Sequence, residues 1–451
     1  MTAALPLPVA DPPLGSGDDA GPYVGYAYSY PHKSAYGPLD PPVPLAPLWQ
    51  AERRDALFLY VHVPFCEMRC GFCNLFARAG GDAALVEAYL DALERQARIV
   101  ADAVAGGRAF ARFAVGGGTP TFLTAAQLDR VFRLAERYFD LSPRAVPTSV
   151  EVSPKTALAD RLAVLREYRV ERVSIGVQSF RDAEAHAIGR PQLASEVHAA
   201  LARLRAFPTL NVDLIYGQPG QSVESWLGSI RAALRYRPEE LYLYPLYVRP
   251  GTGIGRRGAV ERSPDAVTRE LYREGRDLLR AEGYEQVSMR YFRVRSASGD
   301  AAPHYCCQTD GMVGLGCGAR SYTRAVHYSS PFAVEAAGVH AILDRWIDQT
   351  ADDFATATWG CRLTDDDRRR RFVIQSILTA TGLAESDYRT AFGAEVGEAF
   401  PLLGQLSEAG LARRSAGVWR LTPLGVEWSD RIGPAFYSSA GRVRLERFAR
   451  G

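Results

Sequence analysis

Three cysteines set the terms of this chain. Cys66, Cys70 and Cys73 stand in the stretch LFLYVHVPFCEMRCGFCNLF (57–76), with three and then two residues between them. That spacing lets one loop turn all three thiolates onto a single centre. Three sulfurs are one too few for a closed tetrahedral zinc site, which wants a fourth Cys or His nearby, and His62 on the preceding strand is poorly placed to supply it. The same count suits a cube of four irons, in which one iron has no protein ligand and can bind a substrate or cofactor directly. Three unrelated buried thiols are the bland alternative, and the spacing weighs against it.

A loop of this kind needs a rigid mount. Leu57, Leu59, Val61 and Val63 alternate with Phe58, Tyr60 and His62, a strand apolar on both faces that Pro64 then ends. Beyond the cysteines the pattern repeats: helix 83–104, strand 110–115, helix 124–140, strand 147–152, helix 158–168, strand 171–177, helices within 180–206, strand 210–216, helix 222–236, strand 240–247, helix 264–282. Such alternation predicts a parallel sheet with right-handed crossovers. Six strands counted from Leu57 make an α/β fold, a partial (β/α)6 barrel, with ligands at the carboxyl ends of the strands. Unusual residues fall at those ends. Gly116, Gly117 and Gly118 follow the second strand, where missing side chains allow close approach and backbone N–H groups suit a carboxylate. Thr124 and Gln127 form a capping box for the next helix. Glu151 closes the third strand, Gln178 the fourth, and Asp213 lies in the fifth. Each could be a buried polar group satisfied by a neighbouring loop, but three in succession point to a site.

The cysteine spacing after a first strand resembles the signature of the radical S-adenosylmethionine (SAM) superfamily. YVHVPFCEMRCGFCNLF as a whole resembles the subgroup of oxygen-independent coproporphyrinogen III oxidases and haem chaperones, and EVSP, GVQSF followed by GRPQ, and DLIYGQPGQ look like further blocks of it. The likeness runs from Leu57 to about Asp430. It implies a [4Fe–4S] cluster on Cys66, Cys70 and Cys73, with SAM on the open iron and cleaved by one electron to methionine and a 5′-deoxyadenosyl radical. It further implies that Tyr60, Gly117, Glu151, Tyr247 and Arg320 contact that SAM. In the oxidases a second SAM site is lined by positions matching Phe72, Gly118, Thr119, Gln178, Arg190 and Asp213. An external electron donor of flavodoxin or ferredoxin type follows. The sequence also departs from its relatives. Leu75 stands where the bacterial oxidases carry a further cysteine, and the HNxxYW-like haem motif of the chaperone branch is absent. The first reading is therefore a radical SAM enzyme on a small-molecule or tetrapyrrole-like substrate, acting by oxidation or methyl transfer at an unactivated carbon. The second is a non-catalytic haem-binding chaperone.

At 451 residues and 47% hydrophobic content, the chain can bury one large core and a smaller one. Residues 1–50 read as an N-terminal extension, its first twenty disordered. The rest of it is an arm, PYVGYAYSYPHKSAYGPL, whose five tyrosines have no strand or helix period. They would stack on a planar ligand or strap the arm across the barrel exterior. Residues 51–300 make the barrel and 301–360 a connecting segment. Within this region Ser296–Ala302 reads as a flexible loop. His304 with Cys306 and Cys307 reads either as a metal, haem or redox group or as ordinary packing. The GLGCGARS turn, with Gly314, Gly316 and Gly318, still resembles the family block near SAM. Residues 361–451 read as a winged-helix-like cap: a helix opened by Thr364, a helix over 395–409, a hairpin around Ser415–Gly417 and a helix over 424–432. Four arginines, Arg368–Arg371, sit beside Asp365–Asp367, and the net charge is only +2, so neither nucleic acid nor membrane is expected as a partner. With no apolar run long enough to span a bilayer, no signal pattern and a reduced thiolate motif, the expected location is the cytoplasm.

Overall fold

Strand Leu57–Val63 pairs in parallel with Phe110–Gly117, and the series continues through Thr148–Val152, Arg172–Gln178, Thr209–Tyr216 and Glu240–Pro245, every neighbour parallel. The computed structural model describes residues 21–23, 28–249, 251–257, 263–295 and 311–443. The first twenty residues, the 296–302 loop, and His304, Cys306 and Cys307 lie outside these. Crossover helices match the hydrophobic periods: Ala83–Ala103 capped by Asp82, Ala125–Phe139 opened by the Thr124–Gln127 capping box, and Asp265–Ala281 among them. Their apolar stripes cover one face of the sheet. Val61, Val115, Val150, Ile175, Val212 and Leu243, all within 1% of full burial, form the centre of the core.

The sheet does not stop at six strands. On one edge a hairpin, Tyr284–Gln286 and Tyr291–Val294, adds to Glu240–Pro245; on the other, Met312–Leu315 runs parallel to Leu57–Val63 and three antiparallel strands follow it. The last strand is Gly37–Pro44, paired with Thr356–Arg362. Its sequence, GPLDPPVP, carries four prolines, which hid it from any strand pattern. An edge strand tolerates them because one row of its N–H groups faces no partner.

The arm is not laid over the exterior. Tyr30 enters the core of the C-terminal unit with Ile374, Ile377 and Trp428, and its hydroxyl donates to Asp367 Oδ1 at 2.7 Å. Tyr23 meets Tyr216 edge-on at 6.0 Å. The C-terminal unit has the expected hairpin, Ala412–Ser415 with Val418–Leu421, joined by Leu383–Ala384 into a three-stranded sheet. Its first helix, Asp365–Ile377, starts with a Thr364–Asp367 capping box. The helix expected over 395–409 is two, Val396–Ala399 and Leu402–Glu408, because Pro401 cannot donate inside a continuous helix. The one expected over 424–432 is also two, meeting at Trp428. All four arginines of the basic run are engaged within the chain: Arg368 with Asp365, Arg369 with the Phe392 carbonyl, Arg370 with Asp366, and Arg371 with His327.

Candidate active site

The register sets His62 beside Gly116 and Val63 beside Gly117, so the cysteine loop leaves the sheet next to the glycine turn. Gly118 N–H donates to the Val63 carbonyl at 2.8 Å and Thr119 N–H to the Phe65 carbonyl at 2.7 Å. Of the glycine N–H groups expected to be open for a ligand carboxylate, that of Gly118 is thus used by the loop itself. Gly117 N–H takes a carboxylate, but it is the chain's own, Glu151 Oε2 at 2.9 Å. A Cβ at Gly118 would stand 2.5 Å from the Phe65 carbonyl oxygen and 3.0 Å from Cys66 Sγ. On the other side Gly71 N–H donates to the Gly189 carbonyl at 3.1 Å, and a Cβ at Gly71 would lie 2.6 Å from the Ile188 carbonyl. Only glycine allows backbone this close.

The donor set suits a cluster of thiolates. Thr119 Oγ1 donates towards Cys66 Sγ at 3.5 Å, and Arg190 Nη1 donates to Cys70 Sγ at 3.1 Å. Donors aimed at sulfur favour the charged form. Burial, with the neighbouring Cys73, Glu67 and Cys70 and against the pull of the Thr119 hydroxyl, pushes the Cys66 thiol up to about 12, so a stable thiolate here calls for a bound cation. The zinc alternative fails on its fourth ligand. His62 Nε2 is held by the Phe76 carbonyl at 2.8 Å and its Nδ1 lies 3.2 Å from the Tyr60 hydroxyl. Burial lowers its pKa to about 4 and keeps it neutral. Among the described residues, no three or more His, Cys, Asp or Glu side chains are gathered as a single metal ion would gather them.

Beside the loop opens a cavity of about 880 Å³. Tyr60, Gly117, Glu151 and Arg320 line it together, as do Tyr28 and Lys33 of the arm and Phe372 and Gln375 of the C-terminal unit. The structure thereby divides the residues singled out in the sequence. Gly118, Thr119 and Arg190 pack around the cysteines. Phe72 joins Ile188, Ile215, Leu246 and Ile254 in a small apolar cluster. Gln178 is buried with a φ of 68°, where a non-glycine residue is strained, and its carbonyl accepts from Gln218 Nε2 at 3.2 Å. Asp213 Oδ1 accepts from Asn211 Nδ2 at 2.8 Å. Tyr247 stands apart from the cavity lining: its hydroxyl meets Asp430 and Arg290 in a contact between barrel and C-terminal unit.

Two electrostatic features mark the cavity. Glu151 can be reached by a small molecule, yet protein walls surround it. Those walls raise its pKa to about 7, against the pull of the Gly117 N–H and with a further push from Asp213. Burial likewise raises Asp213 to about 6. The second feature is Lys33, which the sequence reading passed over. Its Nζ donates to the Asn74 carbonyl at 3.0 Å and lies 3.9 Å from the centre of the Phe332 ring. Burial, with Arg320 nearby, lowers its pKa to about 7. A signal existed: this is one of only two lysines in a chain whose other basic side chains are arginines.

A parallel half-barrel that presents three cysteines at its carboxyl edge, beside a roofed cavity, defines the class as an α/β partial-barrel protein with a thiol-bearing loop. The family follows from comparison with known proteins. Residues 60–233 match the model of the radical SAM superfamily. The chain is 32% identical over 277 residues to the heme chaperone HemW of Escherichia coli, covering 58% of this chain and 69% of that protein. It is 27% identical over 453 residues to the oxygen-independent coproporphyrinogen III oxidase of Pseudomonas aeruginosa, covering 96% of each. The solved structure of coproporphyrinogen III oxidase (HemN) from E. coli, described as a radical SAM enzyme, superposes with a TM-score of 0.75 at 26% identity, over 86% of this chain and 92% of that one. The chain belongs to the radical SAM superfamily, in the subgroup of oxygen-independent coproporphyrinogen III oxidases and heme chaperones. The superfamily uses a [4Fe–4S] cluster and SAM. Among the described residues no helix is long and apolar enough to cross a membrane.

Proposed function

We propose that the chain is a radical SAM enzyme whose cluster is held by Cys66, Cys70 and Cys73 and whose SAM lies in the cavity against Tyr60, Gly117, Glu151 and Arg320. The observation that carries this reading is the convergence of those four residues, from four separate strands, on one cavity beside the cysteine loop. When bound, cluster and SAM supply a 5′-deoxyadenosyl radical able to take a hydrogen atom from an unactivated carbon. The side chains then have three tasks. Glu151, held by the Gly117 N–H, would hold the amino end of SAM, with Tyr60 and Arg320 as further residues to bind it. Tyr28, Phe332 and Phe372 give the substrate an aromatic wall, which suits a tetrapyrrole-like molecule. The arm and the C-terminal unit together roof the cavity and keep water and oxygen from the reacting centre. The electron comes from a flavodoxin- or ferredoxin-type donor, and a reducing cytoplasm suits the thiolates.

A second reading rests on the 32% identity to a heme chaperone: the same cavity would bind haem without turnover. Anaerobic reconstitution with iron, sulfide, SAM and dithionite separates the two. Formation of 5′-deoxyadenosine and methionine is the expected result. Haem uptake with SAM left intact would replace the enzyme by the chaperone. Cys70→Ala should abolish both the brown chromophore and the adenosyl product.

A further inference from the structure

We infer that Arg190 is a positioning residue of the cluster: its guanidinium, fixed on the Cys70 sulfur, sets how readily the cluster accepts an electron. The inference rests on the reading of the three cysteines as cluster ligands, and it gives Arg190 a task other than lining a second SAM site.

Three of the five N–H donors of the guanidinium are committed. Nη1 points to Cys70 Sγ at 3.1 Å, Nη2 to the Gly176 carbonyl at 2.7 Å, and Nε to Gln192 Oε1 at 2.7 Å. Each partner lies on a different segment, so the plane of the fork is fixed before any ligand arrives. Gln192 is held in turn, because its Nε2 donates to the carbonyls of Val177 and Ser179. These contacts anchor the cation to the end of strand Arg172–Gln178, at the irregularity between Gly176 and Gln178 where the register shifts. The residue just before Arg190 does a related job: Gly189 accepts the Gly71 N–H inside the cysteine loop. One turn therefore fixes the loop backbone and also presents a charge to one of its sulfurs. Thr119, at 3.5 Å from Cys66 Sγ, is the weaker neutral counterpart.

Reduction adds one negative charge to the cluster and its thiolates. A cation hydrogen-bonded to one thiolate stabilises the reduced form more than the oxidised form and raises the midpoint potential. The electron itself comes from outside, from the protein donor in the cell or from dithionite in the test.

The test uses the full chain, reconstituted anaerobically and poised with dithionite and mediators, with iron content measured and the reduced cluster followed by electron paramagnetic resonance. For Arg190→Gln we expect full iron content and a reduced-to-oxidised ratio about tenfold lower at any fixed potential, which is about 59 mV for a one-electron couple. Arg190→Lys should fall between parent and R190Q, and Thr119→Val should shift less than R190Q. Iron-loaded R190Q with the parent's midpoint overturns the inference. Should R190Q fail to load, Arg190→Met decides: it keeps the aliphatic stem without charge or donor, so a loaded R190M with the parent's midpoint overturns the inference equally. A parent protein that forms no brown chromophore sinks the cluster reading itself, a result easily told from a loaded but unshifted variant.

Discussion

Around the cysteines, backbone meets backbone: Gly71 lies on Gly189, Gly118 on Phe65, and the N–H groups of the glycine turn are used within the chain. Across the cavity the roof is held by charged side chains that bridge distant parts of the sequence. Arg290 reaches Asp430, and Arg273 grips Glu427 through both carboxylate oxygens at 2.9 and 3.0 Å. Glycine contacts fix a position because nothing can be moved aside. Charged contacts across a seam hold through side chains long enough to shift, and burial offsets part of what each pair gains. The difference teaches that the position of the cysteine loop rests on contacts that admit no side chain, whereas the position of the roof rests on ion pairs.

The comparison breaks most visibly at Gly118. Gly118→Val places a Cβ 2.5 Å from a backbone oxygen and 3.0 Å from Cys66 Sγ, and neither can retreat without moving a proposed cluster ligand. We expect a loss of about 3 kcal/mol in stability and failure to take up iron on reconstitution. On the cavity side Leu75 is 46% exposed, and Leu75→Ala should cost under about 0.5 kcal/mol with iron uptake intact. If the two variants unfold at the same denaturant concentration, the contrast between the walls is wrong.

The seam supplies the next largest effect. Asp430 and Arg290 are both almost wholly buried, and burial pushes the Asp430 carboxyl up even with the guanidinium beside it. Desolvation thus absorbs much of what the pair gains. Removing one partner still leaves the other charged and buried. Asp430→Asn should destabilise by about 3 kcal/mol. The loss should appear first as faster hydrogen exchange in the C-terminal unit, with the cysteine loop protected. Uniform exchange across the whole chain would mean that barrel and C-terminal unit unfold as one.

How far these regions could be read from sequence follows from the same contrast. The cysteine loop, the six parallel strands and the Thr124–Gln127 cap are local patterns, each complete within about twenty residues, and each is found where the pattern puts it. Gly71 and Gly189 carry no local signal, because the contact that demands glycine joins positions 118 residues apart in the sequence. The same holds for Arg290 with Asp430, and for Tyr30 with Asp367, 337 residues away. The proline-rich edge strand breaks the very pattern by which strands are recognised. Lys33 was visible only as an odd residue type in an arm read for its tyrosines.

The smallest effect lies on the cavity wall itself and reads its electrostatics directly. Glu151 has a folded-state pKa of about 7, above the ordinary carboxylate range, because the walls disfavour its charge. Its contribution to stability is therefore fully present below that ordinary range and is lost as pH rises through about 7. Urea unfolding of the cluster-free protein should show stability falling between about pH 5 and about pH 8. Glu151→Gln cannot ionise and should lack that share of the slope. The two proteins should differ little at the acid end, and the variant should be the more stable by about 1 kcal/mol at the alkaline end, a figure reduced because water can reach the carboxylate. If the proposed function holds, SAM in the reconstituted protein should flatten the parent's slope, since an amino group placed beside Glu151 would favour the charged form. A parent with no excess slope over Glu151→Gln would mean that cavity water already solvates the carboxylate, and that Glu151 meets any ligand fully ionised.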